Sequence, residues 1–590
     1  MVRKIKLLTL SVAILAGLAG AGRVLAFSSG EKVIFNADRV YDAQNRSQVT
    51  ATLRMVSDKA LFYIDDDWWN KLNSYNLANA AIVNLAKEFD QTIYPRLTKV
   101  YGSEWSPGID NEGRITIFIV QMKEGTGGYF NSADEFFKSQ IISSNEREMI
   151  YLNSLYLGTS GVKGYLAHEF HHLINFYQKE KLHNITEDIW LNEARSEYAL
   201  TLCGYDNPLA GSHLERRVNE FKRNPADSLT EWQNVTDDYA PVNLFLQYLV
   251  GRYGEGILTK MMDFDSSGIA EINGALEKIG SQERFADIYA NWIVANYLNN
   301  CLIGEGQKYC YLDRILGYDQ IHVSPSVSSN LLSQEGSIFS FTDRTKDWAG
   351  RWYEINIPNS SSLNLSVSFQ GQAGGNFVVP YIIYYLDGSK SVKFLTLDTG
   401  QKGIGLILGS PSPVKKIILM PLSKMKTKNF LSNETAFDFS FAVKATSDSS
   451  IYSAGSPNSA SSPAAAVLSP IKSNYPDGSL VRASGDSRVY IINGGYRRWL
   501  QSPQIFSFYS HFNWQQIIII SQEELSGYQE AWLVRASGDS RVYEINGDGT
   551  KHWLNMTAEQ FSASGRRWDM VYTINKAERN FYQTGAEVLR

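Results

Sequence analysis

Eleven residues occur twice, letter for letter: Leu480-Val481-Arg482-Ala483-Ser484-Gly485-Asp486-Ser487-Arg488-Val489-Tyr490 returns from Leu533 to Tyr543, 53 residues later. Further landmarks recur one residue beyond that spacing, with Trp499 echoed by Trp553, Trp514 by Trp568 and Tyr528 by Tyr582. Each copy is therefore a whole structural unit, because a repeated unit buries its apolar face against its neighbour. Residues 476–590 read as a two-copy β-rich module. The tract before it, 447–475, is dominated by Ser, Ala, Pro and Asn, as in Ser456-Pro457-Asn458-Ser459-Ala460, and has little to bury. It reads as a linker.

The remaining chain is also too long for one core, since domains usually hold roughly 100–200 residues. Residues 27–320 mix textures. Ala60-Leu61-Phe62-Tyr63-Ile64 and Ile115-Thr116-Ile117-Phe118-Ile119-Val120 are strand-like, whereas Leu77 to about Ile93 carries helical spacing, so this part reads as an α+β domain. From 325 to 446 short alternating segments such as Arg351 to Ile357 and Leu363 to Phe369 are punctuated by Gly, Pro, Asn and Ser, the texture of a β-sandwich. The fold class expected is multidomain: α+β, then a β-sandwich, then a tandem all-β module.

Residues 1–26 have the three-part form of a secretory signal peptide. Basic Arg3, Lys4 and Lys6 precede an apolar run from Leu7 to about Ala21, and Val24-Leu25-Ala26 supplies a cleavage site after Ala26. The competing reading, a membrane anchor, needs roughly 20 apolar residues, and this run is shorter. No second stretch of spanning length follows, so a secreted or extracellular protein is expected, held at a cell surface noncovalently if at all. Net charge is only -5, with no basic stripe to neutralise a phosphate backbone, and nucleic acid is not an expected partner. Three cysteines exclude a disulfide-dense scaffold. Cys301 and Cys310 flank a short loop and can pair; Cys203 lies in a helical pattern as a small hydrophobe, and none of the three reads as a catalytic thiol.

The strongest chemical signal is His168-Glu169-Phe170-His171-His172, set among Leu166, Ala167, Leu173 and Ile174. On a helix, positions i and i+4 share a face, so His168 and His172 can reach one zinc ion (Zn2+). Glu169 beside them can take a proton from water whose pKa zinc lowers from 15.7 to about 7. The pentapeptide alone is a weak pattern. A second helical segment, Trp190-Leu191-Asn192-Glu193-Ala194-Arg195-Ser196-Glu197-Tyr198, places Glu193 with 20 residues between it and His172. A catalytic zinc needs three protein ligands and an open position, and Glu193 supplies the third. Glu197, one turn on, can accept the second imidazole N–H of a ligating histidine.

Motif, spacing and the Asn192-Glu193-Ala194 to Glu197-Tyr198 helix resemble the gluzincin clan that includes thermolysin, and most closely secreted bacterial hyicolysin-type zinc metallopeptidases. The resemblance covers roughly residues 60 to 300. It implies a zincin-like metallopeptidase fold for 27–320, zinc ligands His168, His172 and Glu193, Glu169 as general base, and Glu197 in support. Thermolysin has Asp in that last role, so Glu197 departs by one methylene. Gly127-Gly128-Tyr129-Phe130 and the strand Met149 to Asn153 sit where such enzymes have a sheet edge over the cleft, to which an extended protein or peptide substrate can pair. No Gly-x-Met-Glu-Asn exopeptidase signature is present in the sequence, which favours an endopeptidase.

Other candidates are weaker. His171 is a rival ligand at i+3 from His168, but choosing it leaves the Glu193 helix unexplained. Tyr239, before the helical stretch Asn243 to Tyr253, is the best candidate for an oxyanion donor, against an ordinary helix-flanking aromatic. His183 and His213 read as surface residues. Asp65-Asp66-Asp67 reads as a helix N-cap rather than a calcium loop, and Asp110-Asn111-Glu112-Gly113 as a turn before a strand. Arg482, Arg488, Arg535 and Arg541 with their aromatics could hold a cell-surface polymer or carbohydrate, although repeated aromatics are more simply the core of each repeat. Two functional readings follow. In one, a zinc endopeptidase is delivered to a surface by its C-terminal modules. In the other, a cell-surface binding protein works through the repeats and its zincin domain is a scaffold; Glu169 separates them, because a scaffold needs no base.

Overall fold

The computed structural model describes residues 29–588 apart from 313–314, 317–319, 333, 359–362, 410–411, 447–474, 476–477 and scattered positions between 485 and 569. The expected signal peptide and cleavage site, nearly all of the expected linker, and Trp568 lie outside the described residues.

The first unit is built on a six-stranded sheet of β1 (Lys32–Asn36), β2 (Gln48–Val56), β3 (Ala60–Asp65), β4 (Ile115–Val120), β5 (Gly128–Phe130) and β6 (Met149–Asn153). Its order is β1-β2-β3-β4-β6-β5. The first three strands form an antiparallel meander, β3, β4 and β6 run parallel, and β5 closes the edge antiparallel to β6. Every residue of β3, β4 and β6 is buried, as strands covered on both faces must be. Period-2 alternation divides them between two cores. Phe62, Ile64, Ile117, Ile119, Ile150 and Leu152 meet the helices, while Leu61, Tyr63, Phe118, Val120 and Tyr151 pack on the other face with Phe35 and Leu53.

Helices follow. Tyr75–Glu88 and Gly161–Asn175 cover the sheet; Ile189–Leu202, His213–Arg223, Tyr239–Tyr253, Gly268–Lys278 and Phe285–Leu298 form a second, helical half. Tyr239–Tyr253 runs through its centre and buries 11 of its 15 residues, because its sequence is apolar all round and offers no solvent face. Cys301 and Cys310 form a disulfide just beyond the last helix, and Asp65 caps the short helix Asp66–Trp69 by accepting from the Asp67 and Trp68 amides.

Residues 327–446 form two packed sheets. One has four strands in the order Lys402–Ile407, Asn364–Gly371, Phe437–Thr446, Ile338–Thr345; the other has five, in the order Lys390–Phe394, Pro380–Tyr385, Val414–Leu419, Tyr353–Asn356, Val327–Asn330. Val367, Phe369, Ile383, Ile417 and Phe441 fill the space between them. The alternate residues Ile382 and Ile418, with Met420 and Leu422, join the core of the α+β unit through Trp348, Trp352, Trp292 and Ile293. Trp352 Nε1 donates to the Ile293 carbonyl at 3.1 Å across this seam. The two units share one hydrophobic core.

The duplication is structural. Leu480–Ala483, Tyr490–Asn493 and Tyr496–Trp499, with Ile518–Ile520 and Gln529–Glu530 on the two edges, make one five-stranded sheet; Leu533–Ala536, Val542–Ile545, Thr550–Trp553, Val571–Ile574 and Gln583–Thr584 repeat its order. Arg498 of the first copy pairs with Glu578 of the second at 2.5 Å, both side chains buried. Tyr528 and Tyr582 are buried, and Arg488 and Arg541 are tied back to Asp486 and Asp539 of their own turns.

Candidate metal centre

Helix Gly161–Asn175 buries Leu166, Ala167, Phe170, Leu173 and Ile174 against the sheet and neighbouring helices. That packing turns the stripe carrying His168 and His172 toward helix Ile189–Leu202, whose own Leu191, Ala194 and Tyr198 face the core. The two helices approach at Gly164, where a Cβ would lie 2.9 Å from Leu200 Cδ2. One ligand atom each from His168, His172 and Glu193 lies within 4.8 Å of the others. His168 Nε2 is 3.2 Å from Glu193 Oε2, and His172 Nε2 is 3.6 Å from Glu193 Oε1. Glu193 Oε2 is buried and has no aligned hydrogen-bond donor, so it lacks the partner a buried carboxylate oxygen requires. Two neutral imidazoles and one carboxylate around such a point fit a tetrahedral zinc with one position left over.

The protonation balance is that of a site competing for a cation. Burial works against a proton on His168, but its contact with Glu193 and the charges of Glu169, Glu193 and Glu197 outweigh it and raise it to about 9. Burial, together with the charge on His168, depresses His172. Glu193 is desolvated, yet both histidines hold it below the usual carboxylate range. A metal ion and the His168 proton want the same Nε2 lone pair.

Glu169 lies beneath the edge strand β5, and the Phe130 N–H donates to it. Burial and the nearby Glu193 push it up to about 7, against the opposing pull of His168 and the Phe130 amide. Gly128 makes this arrangement sterically feasible. A Cβ there would meet the Tyr151 carbonyl oxygen at 2.6 Å and Glu169 Cγ at 2.9 Å. The Gly127-Gly128 pair thus lets the edge strand lie directly over the base.

The structure separates the rival histidines. His171 is fully buried, its Nδ1 2.8 Å from Ser196 Oγ and its ring edge-on to Tyr101, and is outside the ligand cluster. His183 is half-buried and pairs with Asp265. His213 corrects the sequence reading. It points inward, and its Nε2 is 2.8 Å from Glu197 Oε2.

Glu197 is a buried hub. Arg217 donates to it through both Nε and Nη2, at 2.8 and 2.9 Å, and Asn243 Nδ2 at 3.0 Å. Although burial disfavours its charge, Arg217 and His213 hold it well below the usual carboxylate range. Its approach to His168 Nδ1 is 3.7 Å, a charge contact rather than a hydrogen bond. His172 Nδ1 is instead 3.2 Å from both Asn192 Oδ1 and Ser196 Oγ. Arg217 also lies over the Tyr239 ring at 4.7 Å, and Trp232 packs edge-on against that ring. Burial and the charges of Glu193 and Glu197 keep the Tyr239 hydroxyl protonated, a donor beside the cluster. Arg217 escaped the sequence reading, and His213 was read as a surface residue, although their i, i+4 spacing was visible. Burial pushes the Cys203 thiol up to about 12, consistent with an inert side chain.

No protein-family model matches the chain, and no curated protein matches it. Among solved structures, the chain is similar to the pre-peptidase C-terminal domain of a collagenase from Bacillus anthracis, at 9% identity and a TM-score of 0.15, over 20% of this chain and 97% of that one. It is similar over 20% of its length to PliG from Aeromonas hydrophila, a periplasmic lysozyme inhibitor of g-type lysozyme, at 8% identity and a TM-score of 0.14, covering 100% of that chain.

Proposed function

We propose that this protein is a secreted zinc endopeptidase with a zincin-like catalytic unit. The observation that carries the reading is the convergence of His168, His172 and Glu193 on one point, with Glu169 next to it beneath a free sheet edge. Zinc, when bound, supplies Lewis acidity that brings water into reach of a mild base. Glu169 is that base. Its position near neutrality lets it accept a proton from water and pass it to the leaving amine. The β5 edge offers main-chain hydrogen bonds to an extended peptide, which would lay the scissile bond across the cluster. Tyr239, protonated and half-buried, donates to the developing oxyanion. Glu197 holds no substrate; it fixes the electrostatics around His168. The C-terminal repeats, on this reading, hold the enzyme to an extracellular surface polymer. No helix among the described residues is long and apolar enough to cross a membrane.

The decisive comparison is Glu169→Gln. The purified wild type should carry about one zinc per chain, and the variant should keep that zinc while casein cleavage falls about 10²–10⁴-fold. Cleavage at the wild-type rate by Glu169→Gln, or a wild type whose cleavage survives chelation, would overturn the reading.

A further inference from the structure

Beside the buried network around Glu197 stands an arginine that the proposed chemistry leaves unused. Arg216 lies on the helix His213–Arg223, three residues after His213 and next to the buried Arg217. Its side chain is 50% exposed, yet its head group is held in place. Nη2 is 2.9 Å from His213 Nδ1, and His213 Nε2 is 2.8 Å from Glu197 Oε2. A guanidinium only donates and a carboxylate only accepts, so His213 bridges them with a proton on Nε2 and its Nδ1 lone pair toward Arg216. The contacts that fix Glu197 near His168 therefore also fix a half-exposed cation. Among the described residues its ion-pair partner is Glu220, whose Oε1 is 3.7 Å from Nε, longer than a hydrogen bond. Glu220 Oε2 is already engaged by Arg217. The Nη1 edge of the Arg216 fork is left with donors to offer.

Two tyrosines mark the same end of the site. Tyr165 precedes Glu169 by one helical turn, and its ring lies against the backbone that leads into β5, where a Cβ on Gly127 would come within 2.2 Å of Tyr165 Cδ1. The Tyr156 ring is 4.9 Å from that of Tyr165. Burial and the neighbouring Tyr165 raise the Tyr156 hydroxyl; the exposed Glu124 adds to this and the charge of Arg216 opposes it, so Arg216 and Tyr156 are in electrostatic range of each other. A peptide added to the β5 edge must cross Gly127 at one of its ends, past these rings and toward Arg216. Arginine's planar fork matches a carboxylate with two parallel N–H bonds, and a fork already held by His213 loses little freedom on making them.

We propose that Arg216 receives a carboxylate of the bound peptide, an acidic side chain or the chain terminus, close to the bond to be cleaved. The inference deepens the zinc-endopeptidase reading and rests on it. It assigns the substrate class: peptides carrying negative charge on the side of the cluster where Gly127 lies.

The test uses the full zinc-loaded chain and peptides identical except for Glu or Gln at each position flanking the scissile bond, each made with a free or an amidated C-terminus. At one position the wild type should show kcat/KM about tenfold higher for the Glu peptide, the size expected of a hydrogen-bonded charge pair. A preference that follows the free C-terminus instead would identify the chain terminus as the carboxylate's source. Arg216→Gln should reduce the ratio below about twofold, and Arg216→Glu should reverse it in favour of a Lys peptide, a reversal that a purely structural arginine would not produce. Binding needs no turnover. By fluorescence anisotropy, Glu169→Gln should hold the labelled Glu peptide about tenfold tighter than the Gln peptide, and adding Arg216→Gln should erase the difference. Metal-dependent cleavage with no carboxylate preference, or a preference unchanged in both Arg216 variants, overturns the subsite and leaves the endopeptidase reading standing. Binding that depends on Arg216 without any zinc-dependent cleavage does the reverse.

Discussion

At the residue scale, the side chains that matter around the candidate metal cluster differ in how far they announce themselves. His168, Glu169 and His172 are adjacent in one helix turn, and helical geometry alone brings the two imidazoles to one face. Glu197 is different, because its partners come from two other helices: Arg217 and His213 from one, Asn243 from the next. A carboxylate so deeply buried depends on its guanidinium partner, and deleting one member of a buried pair costs about 3–5 kcal/mol. Arg217→Met should therefore destabilise the chain by that order and weaken zinc binding about 10–100-fold, as losses of outer-shell support do. His213→Gln keeps a hydrogen-bonding group and should cost less on both counts. Zinc competition titrations alongside denaturant unfolding separate the two effects. Wild-type zinc affinity in Arg217→Met would show that the hub serves folding alone.

At the scale of elements, convergence of the two helices that carry His168, His172 and Glu193 depends on a missing side chain. Gly164 sits one turn before His168, where Leu200 of the partner helix leans in. Gly164→Val would force the helices apart or push Leu200 out of its place, at about 1–3 kcal/mol for an overpacked contact. Because the proposed ligands sit on both helices, zinc affinity should fall together with Tm. Wild-type affinity in a destabilised Gly164→Val would mean that the cluster tolerates the displacement. A second set of contacts fixes the same helices from behind. Arg195, Lys179, Glu187 and Glu271 are all buried, with Lys179 Nζ 2.7 Å from Glu271 and Arg195 Nη2 3.0 Å from Glu187. Strand and helix positions were legible in the sequence, since alternation and 3.6-residue spacing reflect which face is buried. The roles of Gly164 and Gly128 were not, because each is defined by an atom of another element.

At the scale of the whole molecule, the boundary near residue 325 is a change of texture in the sequence but a continuous core in space. Trp348 and Trp352 fill it, and polar contacts line its rim: Lys416 Nζ lies 2.7 Å from Glu354 and 3.2 Å from the Tyr297 hydroxyl. Partial burial disfavours the Glu354 charge, but Lys416, Asn356 and Ser328 more than reverse this and lower it to about 2. A depressed carboxylate contributes stability that is fully present above its unfolded value, near 4.3, and is lost as pH falls through about 2. Acid should therefore loosen the seam between those limits. Lys416→Met should flatten that part of the stability profile, measured by denaturant unfolding at stepped pH. An unchanged acid slope in Lys416→Met would rule the pair out as a contributor. What the sequence determined by itself was everything that rests on local periodicity or repetition: the strands and helices, the duplicated module, and the histidine pair with Glu193 one helix away. Tertiary structure alone decided which partners hold Glu197, which glycines let elements touch, and that two units share a core. Those outcomes depend on residues tens to hundreds of positions apart, and no spacing within one segment encodes which of them will meet.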